Sequence, residues 1–558
     1  MSPMTDIVFT FNGAQISARS GQSLAAALTE ADLRQFRNTV SGAQRGMFCG
    51  MGVCQDCLVT VDGIPNRRAC MTLPVTGMAV SGQIALPDLG QIQAPAAAHP
   101  ARTIAPDVLI IGAGAAGLSA AIAARRAGAS VTVLDERKIA GGQYYKQPAS
   151  GSALDAQQAD GAALVAQAEA SGAELICGAE IWGAFDGLLF LADIDGAALI
   201  AQPKTAIVAT GAYERPLMVP GWTLPGVMTT GAAQTLWRSY RTLAGKRIAV
   251  CGSGPLNLQV ALELSRGGAE IVLIAEKAAP PWSRPAAALS LLLANPTLSW
   301  EGIAMLRELR ARNVQVEYRT QLVQVEQRAS ALNATFRRAG EEPFSVLADA
   351  LCMNGGFEPQ NEILRLLGAD MRYDAAVGHL RCARSGLLET SVPNLYAIGD
   401  CAGLGGAPAA RAEGRIAGRA AAAAAGHSGM EGSIRDQREL HHHRRFQARL
   451  WKLYDITPGV HADLPDETMI CRCEEVTLGR LREGLMEQPG HAGTLKRSTR
   501  VGMGRCQGRY CGPVAARIVS AATGKPIEDL SFFAPRVPIK PVCISAILAA
   551  QDALDARP

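Results

Sequence analysis

The sequence predicts a multi-domain α/β protein. Two strand–turn–helix units of the Rossmann-like, dinucleotide-binding kind lie in the middle, with a small cysteine-bearing domain at each end. Three observations carry this. A unit with three spaced glycines runs from Val108 to Asp135. A second, weaker copy starts at Arg247. Cysteines gather in two sets, Cys49 to Cys70 and Cys471 to Cys511. A chain of 558 residues is too long for one hydrophobic core, and about three or four domains are expected.

Hydrophobic content of 48% and charged content of 19% describe an ordinary globular protein. A net charge of +4 is small for this length and argues against a nucleic-acid partner or a strongly basic membrane patch. Met1 to Ser20 is polar and strand-like, without a signal pattern. No apolar run approaches a transmembrane span; Ala420 to Ala425 only continues a helix. These points place the chain in the cytoplasm, with any inner-membrane association made through partners. Fourteen cysteines, clustered as they are, suggest metal centres in place of disulfides.

In the N-terminal domain, residues 1–85, Ile7 to Phe11 and Ala14 to Ala18 alternate like a hairpin around Asn12-Gly13. Ser23 to Ala31 reads as a short helix and Leu58 to Val61 as a strand. Cys49, Cys54 and Cys57 are followed after twelve residues by Cys70. This is the C-x4-C-x2-C…C spacing of plant-type [2Fe–2S] centres. Gly46, Gly50 and Gly52 would free backbone N–H groups to face sulfur. Zinc is the rival, but it usually favours two C-x-x-C pairs or added histidines, and no His precedes His99. Residues 86–106 are rich in Pro and Ala and read as a semi-rigid linker, with His99 solvated.

The central unit, 107–245 continuing at 346–430, opens on the strand Val108 to Ile111. Gly112 makes the tight turn, Gly114 admits a pyrophosphate to the backbone, and Gly117 lets helix and strand pack closely. Ala115 and Ala116 begin the helix, whose N-terminus offers N–H groups and positive charge to phosphate. The second strand, Val131 to Leu134, ends on Asp135, placed to hold a ribose hydroxyl, with Glu136 after it. Gly142-Gln143, Thr210-Gly211 after the strand Thr205 to Val208, and Gly399-Asp400 before a helix at Ala407 to Ala425 complete the set.

The second unit, 246–345, offers Gly252 and Gly254 but has Asn257 at the third glycine position, where a side chain should push helix and strand apart. Ala275 stands where the ribose acid belongs, and Glu276 follows. No arginine cluster follows in the sequence, which argues against NADP. Three readings stay open: a nicotinamide site, another adenine nucleotide, or a vestigial fold.

In the C-terminal domain, 431–558, Cys471-Arg-Cys473 and Cys506-x4-Cys511 flank a helix at Leu478 to Met486. Four thiolates could gather on one [2Fe–2S] centre, with zinc again the rival. Gly502, Gly504 and Gly508 suit N–H donation to sulfur. Cys177, Cys251, Cys352, Cys382, Cys401 and Cys543 are isolated, so no redox disulfide is expected. Cys401 follows Asp400 and is expected near the first nucleotide. His441, His442 and His443 are adjacent on a helix, point apart, and read as a solvated face. No acid–base pair for substrate chemistry stands out, and no catalytic residue is named.

The N-terminal cysteine pattern resembles the β-grasp ferredoxin domain of molybdenum hydroxylases. Gly142-Gln143, Thr210-Gly211 and Gly399-Asp400 resemble the two-dinucleotide-domain flavoproteins that include thioredoxin and glutathione reductases. The resemblance implies FAD at the first site, with Thr210-Gly211 beside the flavin and Asp400 on the ribityl chain. The C-terminal set resembles bacterioferritin-associated-ferredoxin-like domains, departing at C-x4-C. As a whole, and most specifically over Gly502 to Pro513, the chain resembles the large subunit of heteromeric FAD/[2Fe–2S] amine dehydrogenases, a group with opine oxidases, hydrogen cyanide synthase, dye-linked proline dehydrogenases and, more distantly, sarcosine oxidase. That resemblance implies a partner flavoprotein subunit like D-amino-acid oxidase, which oxidises the substrate. It also implies an electron acceptor: a quinone, a cytochrome or a dye.

Overall fold

The computed structural model describes residues 7–84, 100–428, 433–454, 464–487 and 490–556; His99 lies outside them. Two five-stranded parallel sheets form the centre. The first runs Glu174–Cys177, Val131–Asp135, Val108–Ile111, Thr205–Val208, Leu395–Ala397. Each strand but the first is buried nearly throughout, as a parallel sheet covered on both faces requires. The helices Ala115–Arg126 and Gly406–Ala424 cover one face. They approach closely because Gly414 and Gly418 face the backbone of Ala116 and Ala120; an added Cβ would lie 2.2 and 2.3 Å from those carbonyl oxygens.

The second sheet runs Val227–Thr229, Ala350–Asn354, Arg247–Gly252, Glu270–Glu276, Val316–Tyr318. Two of these strands fall outside the span 246–345 expected from sequence. Neither carries a glycine turn, so the chain signals the second unit only where its nucleotide-type turn lies. The expected linker also ends in structure: Arg102–Ile104 pairs in parallel with Leu199–Ala201. It becomes the edge of a four-stranded sheet with Ala179–Phe185 and Leu189–Ile194.

The N-terminal sheet pairs Ile7–Phe11 with Ala14–Ala18 in the hairpin register the Asn12-Gly13 turn sets. Leu58–Val61, Ile64–Arg68 and Ala79–Gly82 complete it. Ser23 caps the helix Leu24–Glu30 through its hydroxyl. This domain does not project from the chain's end. Arg19 donates to the Tyr240 carbonyl at 2.8 Å, and Phe48 accepts from the Thr229 N–H at 2.9 Å. The two cysteine domains, at opposite ends of the sequence, meet in space: Phe48, Cys49, Cys54, Trp222, Cys471, Cys506 and Cys511 share one apolar core. Among the described residues, no helix is long and apolar enough to cross a membrane.

Candidate flavin and iron–sulfur sites

One cavity of about 1200 Å³ opens at the carboxyl ends of the first sheet. Gly112, Gly114, Ala115, Ala116, Asp135 and Glu136 line it on one side. Gly142, Gln143, Thr210, Gly211, Gly399 and Asp400 complete the set that the sequence singles out. Gly117 is the exception. It does not line the cavity; a Cβ there would lie 1.8 Å from the Gly112 carbonyl oxygen, so it packs the helix on its own turn. The helix Ala115–Arg126 starts from Gly114 with no side-chain cap, leaving its N-terminal donors to a phosphate. The volume exceeds the roughly 300–1,000 Å³ of ordinary ligand pockets, as an extended dinucleotide needs.

The acids divide their tasks. Asp135 is buried and accepts the N–H of Ala113 at 2.6 Å and of Arg137 at 2.8 Å, fixing the turn. Burial pushes its carboxyl up, against those two donors. Glu136 is ion-paired to Lys540, which also lies 3.7 Å from Glu180. Asp400 caps the long helix: one oxygen accepts from Gly405 at 2.9 Å and Gly406 at 3.0 Å. Cys401 is buried beside the Thr210-Gly211 loop, its Sγ bonded to the Ile398 and Val208 carbonyls.

Sequence reasoning missed several lining residues. Lys146 donates to Gln234 at 2.7 Å, and its neighbours Arg137, Glu214, Glu263 and Arg238 act on it at longer range. Burial, and after it the Arg137 guanidinium, bring Lys146 down to about 7. Below that pH the lysine is charged in both folded and unfolded chains, and the full penalty of burying the charge applies. The penalty fades as pH rises toward the unfolded value of about 10.4. Stability should therefore rise with pH between about 7 and about 10. Lys146→Met should flatten that rise in denaturant midpoints measured across the range; an unchanged slope would remove Lys146 as its source. No sequence motif marks Lys146, since its role comes from burial.

The cysteines gather as pairs. In the N-terminal set Cys49 lies beside Cys54, and Cys57 beside Cys70. In the C-terminal set Cys471 pairs with Cys511, and Cys473 with Cys506. Among the described residues no three His, Cys, Asp or Glu side chains converge on a point for a single ion. Two irons bridged by sulfide would need two sulfurs each, and in the N-terminal set Cys49 with Cys54 and Cys57 with Cys70 offer such pairs. Within each set some thiols are lowered while their neighbours Cys54, Cys57, Cys473 and Cys511 are pushed well up. Burial raises Cys49, but Cys54 and the N–H groups of Met51, Cys54 and Val53 bring it to about 7. Cys473 and then the N–H groups of Gly508 and Tyr510 lower Cys506 to about 6, against burial. Gly50 and Gly52 take left-handed φ of +62° and +85° in the loop. Gly46 differs from expectation: it does not adopt positive φ, and a Cβ there would lie 2.0 Å from the Arg34 carbonyl oxygen, so close packing selects it.

The two sets interlock. Asp56, between Cys54 and Cys57, is ion-paired with Arg472, between Cys471 and Cys473; the two side chains are 1% and 3% exposed. Arg37 pairs with Asp56 at 2.5 Å. The Arg472 guanidinium lies 4.1 Å from the Phe48 ring centroid and 4.8 Å from that of Trp222, within cation–π range. Glu475 accepts from the Thr39 hydroxyl at 2.6 Å and the Ser41 N–H at 3.1 Å. Both cysteine loops also reach the flavin-type cavity: Met51 lines it from one, Arg509 from the other.

The second glycine turn differs. Gly252 is forced, since a Cβ would lie 1.8 Å from the Asn354 carbonyl oxygen. Asn257 is accommodated between helix and strand. It is buried, accepts from the Thr230 hydroxyl at 2.8 Å and donates to the Cys251 carbonyl at 3.4 Å, bridging helix to strand. Glu276 accepts from Ser253 at 2.7 Å and Gly254 N–H at 3.1 Å. Trp451 and Leu404 wall a cavity of only about 60 Å³ against Ser253, Gly254 and Pro255. Contrary to the sequence reading, the fold does assemble cations after Glu276: Lys277, Arg284 and Arg319 line one cavity of about 370 Å³. Of the histidine run, His441 and His442 are exposed; His443 turns toward the large cavity.

Comparison with known proteins fits this layout. Residues 106–426 match the family model "Pyridine nucleotide-disulphide oxidoreductase". Residues 4–84 match a "2Fe-2S iron-sulfur cluster binding domain", and 467–551 a "Sarcosine oxidase A3 domain". An opine oxidase polypeptide of Agrobacterium tumefaciens, one of that enzyme's subunits, is 30% identical over 462 residues, covering 79% of this chain and 91% of that protein. Hydrogen cyanide synthase subunit HcnB of Pseudomonas aeruginosa is 30% identical over 461 residues, covering 78% and 97%. L-proline dehydrogenase from P. horikoshii shares the fold, with a TM-score of 0.74 at 19% identity, covering 98% of this chain and all of that one. The chain therefore belongs to the pyridine nucleotide-disulphide oxidoreductase family, as an FAD- and [2Fe–2S]-type oxidoreductase subunit related to those of opine oxidase and hydrogen cyanide synthase.

Proposed function

We propose that this chain is the electron-relaying subunit of a heteromeric dehydrogenase acting on an amino acid, imino acid or opine. A partner flavoprotein subunit resembling D-amino-acid oxidase removes hydride from the carbon beside the amine nitrogen. Electrons then pass through this chain to a quinone, cytochrome or dye. The observation that carries the reading is that loops from both cysteine sets wall the cavity opened by the first glycine turn. FAD would supply two-electron uptake with one-electron release, and each [2Fe–2S] centre one-electron transfer. Gly112, Gly114 and the N-terminus of Ala115–Arg126 would hold the pyrophosphate, and Asp135, with Glu136 beside it, the ribose. Cys49, Cys54, Cys57 and Cys70 would hold one cluster; Cys471, Cys473, Cys506 and Cys511 would hold the second. Met51 and Arg509, both buried, line the cavity from the two cysteine loops.

Two outcomes test this. The purified chain alone should not oxidise amino or opine substrates, and adding the partner flavoprotein should restore turnover. Oxidation by the chain alone would overturn the division of labour. The other reading, a self-contained NAD(P)H-dependent enzyme, needs a dinucleotide at Gly252-Gly254, where Trp451 and Leu404 crowd the turn. NADH or NADPH added without substrate should leave the flavin oxidised; rapid bleaching would restore that reading.

A further inference from the structure

The large cavity has a second limb that the flavin set does not use. Its walls come from three helices outside that set, Pro285–Ala294, Pro296–Ala311 and Ser433–Leu453. Leu292 lines it from the first, Leu298 and Leu306 from the second, Phe446 and Leu450 from the third. His443, Phe446, Gln447 and Leu450 recur at three and four residues and so share one face of their helix. Gln447 marks the junction with the flavin end. Its Oε1 lies 3.4 Å from where a Cβ on Gly406 would stand, and the Gly406 N–H donates to Asp400. The limb opens at Trp282 and Leu289, which line it while 70% and 57% exposed. Pro285–Ala294 carries no charged residue, only Leu291 in it is buried, and Leu293 is 73% exposed. An exposed apolar patch of this kind marks a binding site. The mouth is held in place: Arg284 donates to the Lys452 carbonyl and Arg449 to the Ser290 carbonyl, each at 3.0 Å.

We infer that this limb binds a quinone carrying an isoprenoid tail, its ring toward the flavin end and its tail along the apolar walls to the mouth at Trp282 and Leu289. The inference rests on the electron-relay reading above and narrows the acceptor that reading leaves open. A soluble dye or a cytochrome has no tail to fill an apolar limb. An amino acid or opine carries charges that Leu298, Leu306, Phe446 and Leu450 cannot pair. The phosphates of a second dinucleotide would find no donor on those side chains either. The charged lining residues of Pro296–Ala311, namely Glu301, Arg307 and Arg310, are exposed. In the transfer the quinone takes two electrons from the reduced flavin, one proton that leaves with them and one from water. It departs as the quinol, and the flavin is left oxidised.

The test is calorimetric titration of the oxidised holoprotein with two quinones that share one ring, the first with a short isoprenoid tail and the second with none. The tailed quinone should bind at least about tenfold more tightly, because each methylene it buries adds to the affinity. Leu298→Asp and Leu450→Asp, made separately, should each retain flavin by absorbance and lose most of that preference. Equal affinity for the two quinones in the wild type, which needs no variant, would overturn the inference. So would a preference that survives in both variants. Heat of binding from NADH but none from the tailed quinone would give the limb to a nucleotide and overturn it. Loss of quinone binding once the partner flavoprotein is added would give the mouth to that subunit, with the same consequence. Failure of the relay reading shows differently, as amine oxidation by the chain alone with tailed-quinone binding intact.

Discussion

Asp56→Ala is expected to destabilise the protein by about 3–5 kcal/mol, the range seen when one partner of a buried ion pair is removed. The carboxylate is the shared counterion of Arg37 and Arg472, both largely buried. Arg45 stands beside them: burial lowers its affinity for the proton, Asp56 restores some of it, and Arg472 and Arg37 oppose that. Without Asp56 three guanidinium groups face one another, with Glu475 the remaining acid, 3.8 Å from Arg45. Because the pair ties the loop of one cysteine set to the loop of the other, iron should be lost from both. Thermal unfolding and iron content of the purified variant check this. A melting temperature within a degree or two of wild type, with iron retained, would show that the junction holds without its central charge.

Gly117→Ala should nearly abolish FAD retention and cost about 1–3 kcal/mol or more, as overpacked sites do. The new methyl would sit 1.8 Å from the Gly112 carbonyl oxygen, so the helix carrying the phosphate-binding N-terminus must move off the turn. The second unit supplies the contrast. Asn257 occupies the same motif position there, and its amide reaches the Cys251 carbonyl. Asn257→Gly should therefore leave flavin content unchanged. Flavin absorbance per protein, before and after gel filtration, measures both variants. Full retention by Gly117→Ala would mean that the first turn does not hold the cofactor as described.

Much of the local architecture was legible. The hairpin around Asn12-Gly13, the strands at Val108–Ile111 and Thr205–Val208 and the helix near Ala407 follow from turn residues and short apolar runs. The cavity-lining residues were legible because each glycine or acid belongs to a motif of fixed spacing. What stayed hidden is long-range. Thr39 and Glu475 are 436 residues apart in the chain yet hydrogen-bonded, and no periodicity encodes such a contact. The strands Val227–Thr229 and Ala350–Asn354 join the second sheet without a marker of their own. Lys277, Arg284 and Arg319 are scattered in sequence and meet only in the fold. The bonds of Asn257 stayed hidden too: a spacing rule counts its side chain as an obstacle and says nothing of the two partners its amide finds.

The proposed role requires the chain to conduct electrons through two binuclear iron centres that touch one flavin cavity. Metal and acid-labile sulfide analysis of the purified chain, with its visible spectrum, tests this most directly. The expected result is roughly four iron and four sulfide per FAD, two of each per [2Fe–2S] centre, with no zinc. Zinc in place of iron, or a spectrum of flavin alone, would contradict it.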